Sequence, residues 1–196
     1  MKVLIASAGR SGTRYTSYLL SLYGLDVGHE HLGRDGMIGW NWIQQSPQDF
    51  DLVLHQSREP LAAIRSAMTH TNRLFKNCEV HYGPPPISGE DSHPKLIPAM
   101  WYWLNHNKLA KKTAGYHFKV EHLGEEGYVR NSILFALGLE KAPHPKVQPP
   151  RNLNSRKATL ARRNIPVLTW QDLTHASENL SLEIQSLAQT LGYSIT

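Results

Sequence analysis

Short apolar runs alternate along the chain with stretches whose apolar residues are spaced as on one face of a helix. The run Val3-Leu4-Ile5 is continuous, which is typical of a parallel strand buried on both faces. It is followed by apolar residues at helical spacing, namely Tyr15, Tyr18, Leu19, Leu22 and Tyr23. The pattern therefore predicts a strand, a loop and a helix at the start of the chain.

Similar patterns recur along the rest of the chain. Further strands are predicted at residues 25–27, 50–55 and 116–120. Further helices are predicted at residues 60–68, 97–104, 129–137 and 180–191. Residues 76–94 contain three consecutive prolines and are predicted to form a long surface loop.

Strands separated by helices indicate an α/β fold. We expect three layers, with a central, mostly parallel sheet of four to five strands and helices on both faces. In such a sheet the ligand site lies beyond the carboxyl ends of the strands. A length of 196 residues with 40% hydrophobic residues suits a single domain over residues 1–196.

Composition indicates where the protein is located and what charge its partner carries. No apolar run approaches the ~18–20 residues of a membrane span, so no membrane association is expected. The single cysteine, Cys78, cannot form an internal disulfide, which favours a reducing, cytoplasmic location. The formal charge of +5 favours an anionic partner.

Part of the positive charge is concentrated in one segment. Residues 151–163 contain five basic residues and no acidic ones, whereas residues 164–196 contain no Lys or Arg. Such a segment is commonly just solvated. Its best candidates for a ligand contact are Arg156 and Lys157.

The loop after the first strand has the residue types that hold a phosphate. A strand-to-helix loop brings backbone N–H groups and the positive end of the helix dipole together. Glycines here let the backbone approach an anion closely, and the other side chains add charge or hydroxyl groups; the set is Gly9, Arg10, Ser11, Gly12, Thr13 and Arg14. The Walker pattern does not fit, because Thr13 stands where lysine is required and Ser7 where the first glycine is required. An ordinary ATP or GTP site is therefore disfavoured.

The run Gly9-Arg10-Ser11-Gly12-Thr13 resembles the 5′-phosphosulfate loop of sulfotransferases, which use 3′-phosphoadenosine 5′-phosphosulfate (PAPS). Many members have lysine where this chain has Arg10, and a hydroxyl residue where it has Arg14. The resemblance implies a P-loop-like sulfotransferase domain in which this loop binds the 5′ end of the donor.

A second motif of this family has an arginine at a strand end and a serine eight residues later, and Arg58 and Ser66 have this spacing. The resemblance implies that these two residues hold the donor's 3′-phosphate. A weaker likeness continues to about residue 140. Arg156 and Lys157 lie where family members often cover the 3′-phosphate and adenine.

The family implies transfer of a sulfuryl group to a hydroxyl or amine of a small-molecule or glycan acceptor, leaving 3′-phosphoadenosine 5′-phosphate. No metal and no nucleic-acid partner are expected, and the sequence carries no signal for an oligomeric state. Arg10 would stabilise charge on the departing 5′-phosphate. It cannot donate a proton at its normal pKa.

The acceptor must lose a proton, so a base is expected at a neighbouring strand end. Glu30 is the first choice, since it is similar to the glutamate base of glycosaminoglycan-modifying members, and His29 and His31 flank it. Strand alternation predicts that Glu30 points away from both histidines. A zinc site or a hydrogen-bonded strand end are the other interpretations of this triplet. The remaining histidines show no ligand spacing and are expected mostly at the surface or as helix caps.

Two other functional classes remain open. One is a divergent P-loop nucleotide kinase or NTPase, opposed by the missing lysine and by Gln56-Ser57-Arg58 where a magnesium-binding acid is expected. The other is a noncatalytic module that binds nucleotide or nucleic acid. The acceptor cleft of a sulfotransferase would be shaped by residues 33–49 and 76–94. The tryptophans are predicted to pack in the core rather than line that cleft.

Overall fold

The computed structural model describes residues 1–70, 72–86, 93–125, 127–142 and 164–195. Two compact units are present: residues 1–58 with 109–155, and residues 59–108 with 156–196. We call them the sheet unit and the helical unit. The expected single domain over 1–196 stays a prediction.

The sheet unit is built on five parallel strands. They are β1 (Val3–Ser7), β2 (Val27–His29), β3 (Gly36–Gly39), β4 (Leu52–Ser57) and β5 (Tyr116–Lys119). Their order in the sheet is β2-β3-β1-β4-β5, and every neighbouring pair is parallel. The predicted parallel sheet of four to five strands is confirmed.

Strand β3 is the one that the hydrophobic pattern does not predict. Its four residues are Gly36-Met37-Ile38-Gly39, too short an apolar run to stand out. Gly36 has φ 132°, and a Cβ there would lie 1.9 Å from the carbonyl oxygen of Val3. Glycine is therefore required where β3 approaches β1, as is common for glycines inside strands.

Both faces of the sheet are covered, which confirms the three layers. One face packs against helix α1 (Thr13–Ser21) and the helical segment 129–137, in a cluster that includes Ile5, Leu20 and Phe118. The other face packs against Trp42 and the last residues of helix α4 (Leu96–Thr113), in a cluster that includes Leu4. Alternating side chains of each strand thus enter two separate cores.

Short helices complete the sheet unit. They are 3₁₀ helices at Trp40–Gln44, Pro47–Asp49 and Val120–Gly124, and a π-helical turn at Arg130–Leu134. The π-helical turn lies inside the helix predicted at residues 129–137. Gly138, with φ 67°, follows it, as predicted for a helix end.

In the described part of the helical unit, the regular elements are all helices. They are α2 (Pro60–Ala67), α3 (Asn72–Tyr82), residues 96–108 of α4, α5 (Trp170–Ala176) and α6 (Glu178–Thr190). The prediction of a loop from residue 76 is wrong for residues 76–82, which belong to α3. Leu74, Phe75 and Cys78 are buried at helical spacing and hold α3 in the core.

The hydrophobic pattern does not predict helix α5, although the residues at its start form a capping motif. Thr169 Oγ1 accepts a hydrogen bond from Asp172 N, and the Asp172 carboxylate accepts one from Thr169 N, which forms a capping box. None of the helices in the described ranges is long and apolar enough to cross a membrane.

Candidate functional site

The loop after β1 lies at the centre of the carboxyl edge of the sheet. β1 has β3 on one side and β4 on the other, and the chain passes to β2 first and reaches β4 later. The strand order therefore changes direction beside β1. A crevice outside the carboxyl ends of the strands at such a point is the usual ligand site of open α/β sheets.

The backbone of this loop turns through two left-handed residues. Gly12 has φ 80°, and Arg10 has φ 75° although it carries a side chain. Ser11 N donates to Ala8 O at 3.3 Å and closes the turn. A non-glycine residue held in this conformation is strained by about 1–2 kcal/mol, and such strain is concentrated at functional sites.

The start of α1 has no side-chain cap. Gly12 is the N-cap residue, and its carbonyl accepts from Tyr15 N at 2.9 Å and Thr16 N at 3.2 Å. The first N–H groups of a helix have no partner inside the helix, and they carry the positive end of its dipole. This helix start is therefore suited to an anion.

The start of α2, in the helical unit, is capped differently. Glu59 accepts from Leu61 N at 3.0 Å and from Ala62 N at 2.7 Å, one with each carboxylate oxygen. The chain's own carboxylate thus occupies the position that an anion takes at an open helix start.

Gly12 is also required by its surroundings. A Cβ at this position would lie 2.6 Å from Val120 Cγ2, whereas a Cβ at Gly24, which has the same φ of 80°, meets nothing within 4 Å. Gly24→Ala should lower the free energy of unfolding by about 1–2 kcal/mol from backbone strain alone. Gly12→Ala should lower it by about 1–3 kcal/mol more because of the clash. Urea unfolding of both variants measures this difference, and equal losses would contradict the close packing of Gly12 on Val120.

Two side chains from the end of β4 hold the carbonyl groups of the loop. Gln56 Nε2 donates to Ser11 O at 2.5 Å, and Arg58 Nη1 donates to Arg10 O at 2.9 Å. Gln56 and Arg58 are two residues apart, as expected for side chains on one side of an extended chain. Arg58 as a whole is half-buried, and its Nη1 lies against the loop. Its other N–H groups make no hydrogen bond to any residue of the described ranges.

The end of β2 reaches the same loop through His29. His29 Nε2 shares a hydrogen bond with Thr13 Oγ1 at 3.0 Å and lies 3.8 Å from Glu30 Oε1. The prediction that Glu30 points away from both histidines is wrong for His29. The strand ends at His29, and Glu30 is left-handed with φ 61°, so the alternation of a strand does not continue. His31 Nδ1 donates to His29 O at 2.9 Å.

The backbone of Glu30 is held on both sides. Glu30 N donates to Ile38 O at 2.8 Å, and Asn41 Nδ2 donates to Glu30 O at 3.1 Å. The side chain is exposed, and only its Oε1 faces His29. A carboxylate with a fixed backbone and an exposed end can meet a bound hydroxyl group.

The pKa of His29 lies below the ordinary value of a histidine. Burial is the largest cause, the Glu30 carboxylate opposes it, and the neighbouring Arg14, His31 and Arg10 add to the lowering of the pKa. A neutral imidazole has one donor and one acceptor nitrogen. His29 can therefore link Thr13 to a second polar group.

The predicted binding residues differ in how exposed they are. The hydroxyl group of Ser11 is fully buried and has no partner within the described residues, so a ligand cannot touch it in this conformation. Ser66 is buried on α2, in the helical unit, and its pairing with Arg58 stays a prediction. Arg14 is exposed on the outer side of α1. Arg156 and Lys157 lie outside the described residues.

A groove of about 470 Å³ lies between the outer side of α1 and residues 25–31, with Arg14, Tyr18, His29 and His31 on its walls. Its volume is in the range of small-molecule sites. Residues 33–49 contain β3 and the buried Trp42, and their role in shaping an acceptor cleft stays a prediction. Trp42, Trp101 and Trp103 are core residues, as predicted, whereas Trp40 is only half-buried.

A histidine pair that no sequence pattern predicts lies on β4 and β5, with His55 buried and His117 half-buried. His55 and His117 face each other across β4 and β5, with ring centroids 4.9 Å apart. Ser57 Oγ shares a hydrogen bond with His117 Nε2 at 2.7 Å. His55 and, in the helical unit, His106 are fully buried, so the expectation of surface or capping histidines is wrong for both.

Burial lowers the pKa of His117 to about 3, and His55, Lys119 and Lys111 add to this effect. A histidine in an unfolded chain has a pKa of about 6.5, so the unfolded state binds the proton more tightly. The stability contributed by the neutral ring is complete above about pH 6.5 and is lost as the pH falls toward 3.

We expect His117→Asn to weaken the acid dependence of stability. In the parent protein this one proton contributes a slope of up to about 1.4 kcal/mol per pH unit between about pH 6 and 4. Ser57→Ala keeps the imidazole and should keep the slope, so it is the control. Denaturant unfolding at a series of pH values measures both, and an unchanged slope in His117→Asn would contradict the neutral state of the half-buried His117 ring.

The described residues contain no group of three or more His, Cys, Asp or Glu side chains placed to bind a metal ion. The fold and the site define an α/β protein with a glycine-containing loop at the carboxyl edge of a parallel sheet, contacted by Arg58 and His29. No family model, curated protein or solved structure matches the chain.

Proposed function

We propose that the protein is a PAPS-dependent sulfotransferase that acts on a hydroxyl or amine group of a small-molecule or glycan acceptor, in the cytoplasm. The observation that carries the proposal is the contact between Arg58 Nη1 and Arg10 O at 2.9 Å. It brings the cationic residue after β4 against the cationic loop after β1. A donor with phosphate groups at both ends of one nucleoside needs two such cationic positions close together.

The residues present fit this donor. The uncapped start of α1, with Gly12 pressed against Val120, leaves backbone N–H groups for the 5′-phosphosulfate, and Arg10 adds charge. Arg58 donates to Arg10 O through Nη1, and its other N–H groups would bind the 3′-phosphate. The family resemblance implies three further contacts to the 3′-phosphate, from Ser66, Arg156 and Lys157.

When bound, the donor supplies an activated sulfuryl group. The chain contributes position, charge and a base. Arg10 stays positively charged at working pH and stabilises negative charge on the 5′-phosphate. The Glu30 carboxylate takes the proton of the acceptor. His29 lies next to this carboxylate and shares a hydrogen bond with Thr13 at the start of α1. The groove beside His29 is the proposed entry for the acceptor.

The kinase or NTPase alternative finds less support at this site. Thr13 stands where a phosphate-binding lysine is required, and its hydroxyl is engaged by His29. At the end of β4, the amide of Gln56 binds the loop carbonyl of Ser11.

The test is a comparison of melting temperatures. Adenosine 3′,5′-bisphosphate should raise the melting temperature in proportion to the logarithm of its concentration above Kd, and ATP with magnesium should not. Stabilisation by ATP with magnesium and not by the bisphosphate would favour the kinase. Binding of single-stranded nucleic acid that collapses with added salt, without an effect of the bisphosphate, would favour the noncatalytic module.

A further inference from the structure

The buried side chain of Gln56 makes one hydrogen bond to a residue far away in the sequence. Its side chain is fully buried, and Nε2 donates to Ser11 O at 2.5 Å, across 45 positions of the chain. Its Oε1 has no partner in the described parts of the chain. The orientation of the amide is therefore set by the loop carbonyl, which requires the NH₂ group to face Ser11.

This bond fixes the direction of a whole peptide group. Ser11 C=O and Gly12 N–H belong to one planar trans peptide, in which the two groups point in opposite directions. Holding the Ser11 oxygen at β4 therefore directs the Gly12 N–H away from β4. Gly12 is the N-cap of α1, so this N–H belongs to the helix start that is suited to an anion.

We propose that Gln56 is a positioning residue that holds the Ser11–Gly12 peptide in its anion-binding orientation. The inference rests on the proposed function, since the anion is the 5′-phosphate of the donor. Gln56 itself is enclosed in the sheet unit and acts only through the loop. Arg58, two residues later, holds the preceding carbonyl, that of Arg10, and keeps its remaining donors for the ligand.

The chemistry of the contact provides a selective test. Gln56→Glu preserves size and shape but places a carboxylate oxygen against the Ser11 carbonyl, where both groups are acceptors. Burial raises the pKa of a carboxyl group, so the introduced side chain takes up a proton in mildly acidic buffer. A protonated carboxyl group can again donate to Ser11 O. The defect should therefore be reversible by pH.

The probe is adenosine 3′,5′-bisphosphate, titrated by calorimetry. At pH 8, Gln56→Glu should raise Kd by about 10- to 100-fold relative to the parent. Between pH 8 and 5.5 the ratio of the two Kd values should fall toward one; using the ratio removes the titration of the ligand itself. The control is Gln44→Glu, the same change at an exposed glutamine of the sheet unit, with an expected ratio near one at every pH.

Hydrogen exchange of the ligand-free proteins provides a readout that does not depend on binding. At pH 8, Gln56→Glu should exchange faster at residues 8–14, with the rest of the sheet unchanged, and Gln44→Glu should match the parent. Unchanged exchange in this loop, or a Kd ratio that does not recover at low pH, would overturn the role of Gln56. A parent protein that does not bind the bisphosphate would overturn the proposed function, while the exchange result would still decide whether Gln56 holds the loop.

Discussion

Glu30→Gln should lower the turnover of sulfuryl transfer by about 10²–10⁴-fold, the usual contribution of a general base. Glutamine has the same shape but cannot take the acceptor's proton. The backbone of this residue is held by Ile38 O and by the side chain of Asn41, neither of which contacts the carboxylate. The variant should therefore keep the fold and bind adenosine 3′,5′-bisphosphate as the parent does.

The measurement is transfer of labelled sulfate from PAPS to an acceptor found by screening, with bisphosphate affinity measured in parallel. Glu125→Gln is the matched control, because Glu125 is an exposed glutamate of the same unit that pairs with His122. Full turnover in Glu30→Gln would show that Glu30 is not the base. The role would then pass to His29 or His31, which His29→Asn and His31→Asn would separate.

Arg58→Ala should raise the Kd for adenosine 3′,5′-bisphosphate by about 10- to 100-fold, the range expected when a hydrogen bond to a charged group is lost. The effect should depend on the 3′-phosphate. For adenosine 5′-phosphate, which lacks this group, the change in Kd should be much smaller. Calorimetry with both nucleotides separates the loss of a phosphate contact from a general loosening of the loop.

Two variants complete this comparison. Arg58→Lys keeps the charge but not the forked donors, and should fall between the parent and Arg58→Ala. Arg34→Ala removes an exposed arginine of the same unit whose guanidinium pairs with Asp35, and should leave both affinities unchanged. Equal losses for the two nucleotides in Arg58→Ala would mean that Arg58 only supports the loop through Arg10 O.

The parallel sheet and four of its strands could be predicted, because these strands have apolar runs that differ from the helical spacing around them. β3 could not be predicted, since Met37 and Ile38 are its only large apolar residues and glycines flank them. Its place between β2 and β1 depends on close backbone packing at Gly36. Such packing leaves no periodic signal in a single sequence.

The part of the candidate site that binds an anion could be predicted, because it depends on residue types and their place after strands. Glycines and arginines after β1, and an arginine after β4, indicate an anion in any parallel sheet. The contact of Glu30 with His29 was not predictable, because it depends on one left-handed residue. From the sequence, Gln56 indicates only that a magnesium-binding acid is absent from this position. Its hydrogen bond to the loop depends on the pairing of β1 with β4, which the sequence does not reveal.

A crystal structure of the protein with adenosine 3′,5′-bisphosphate tests the central claim most directly. We predict that the 5′-phosphate lies on the N–H groups at the start of α1 and that the guanidinium of Arg58 binds the 3′-phosphate. A nucleotide bound elsewhere on the chain, or a 3′-phosphate out of reach of Arg58, would contradict the account.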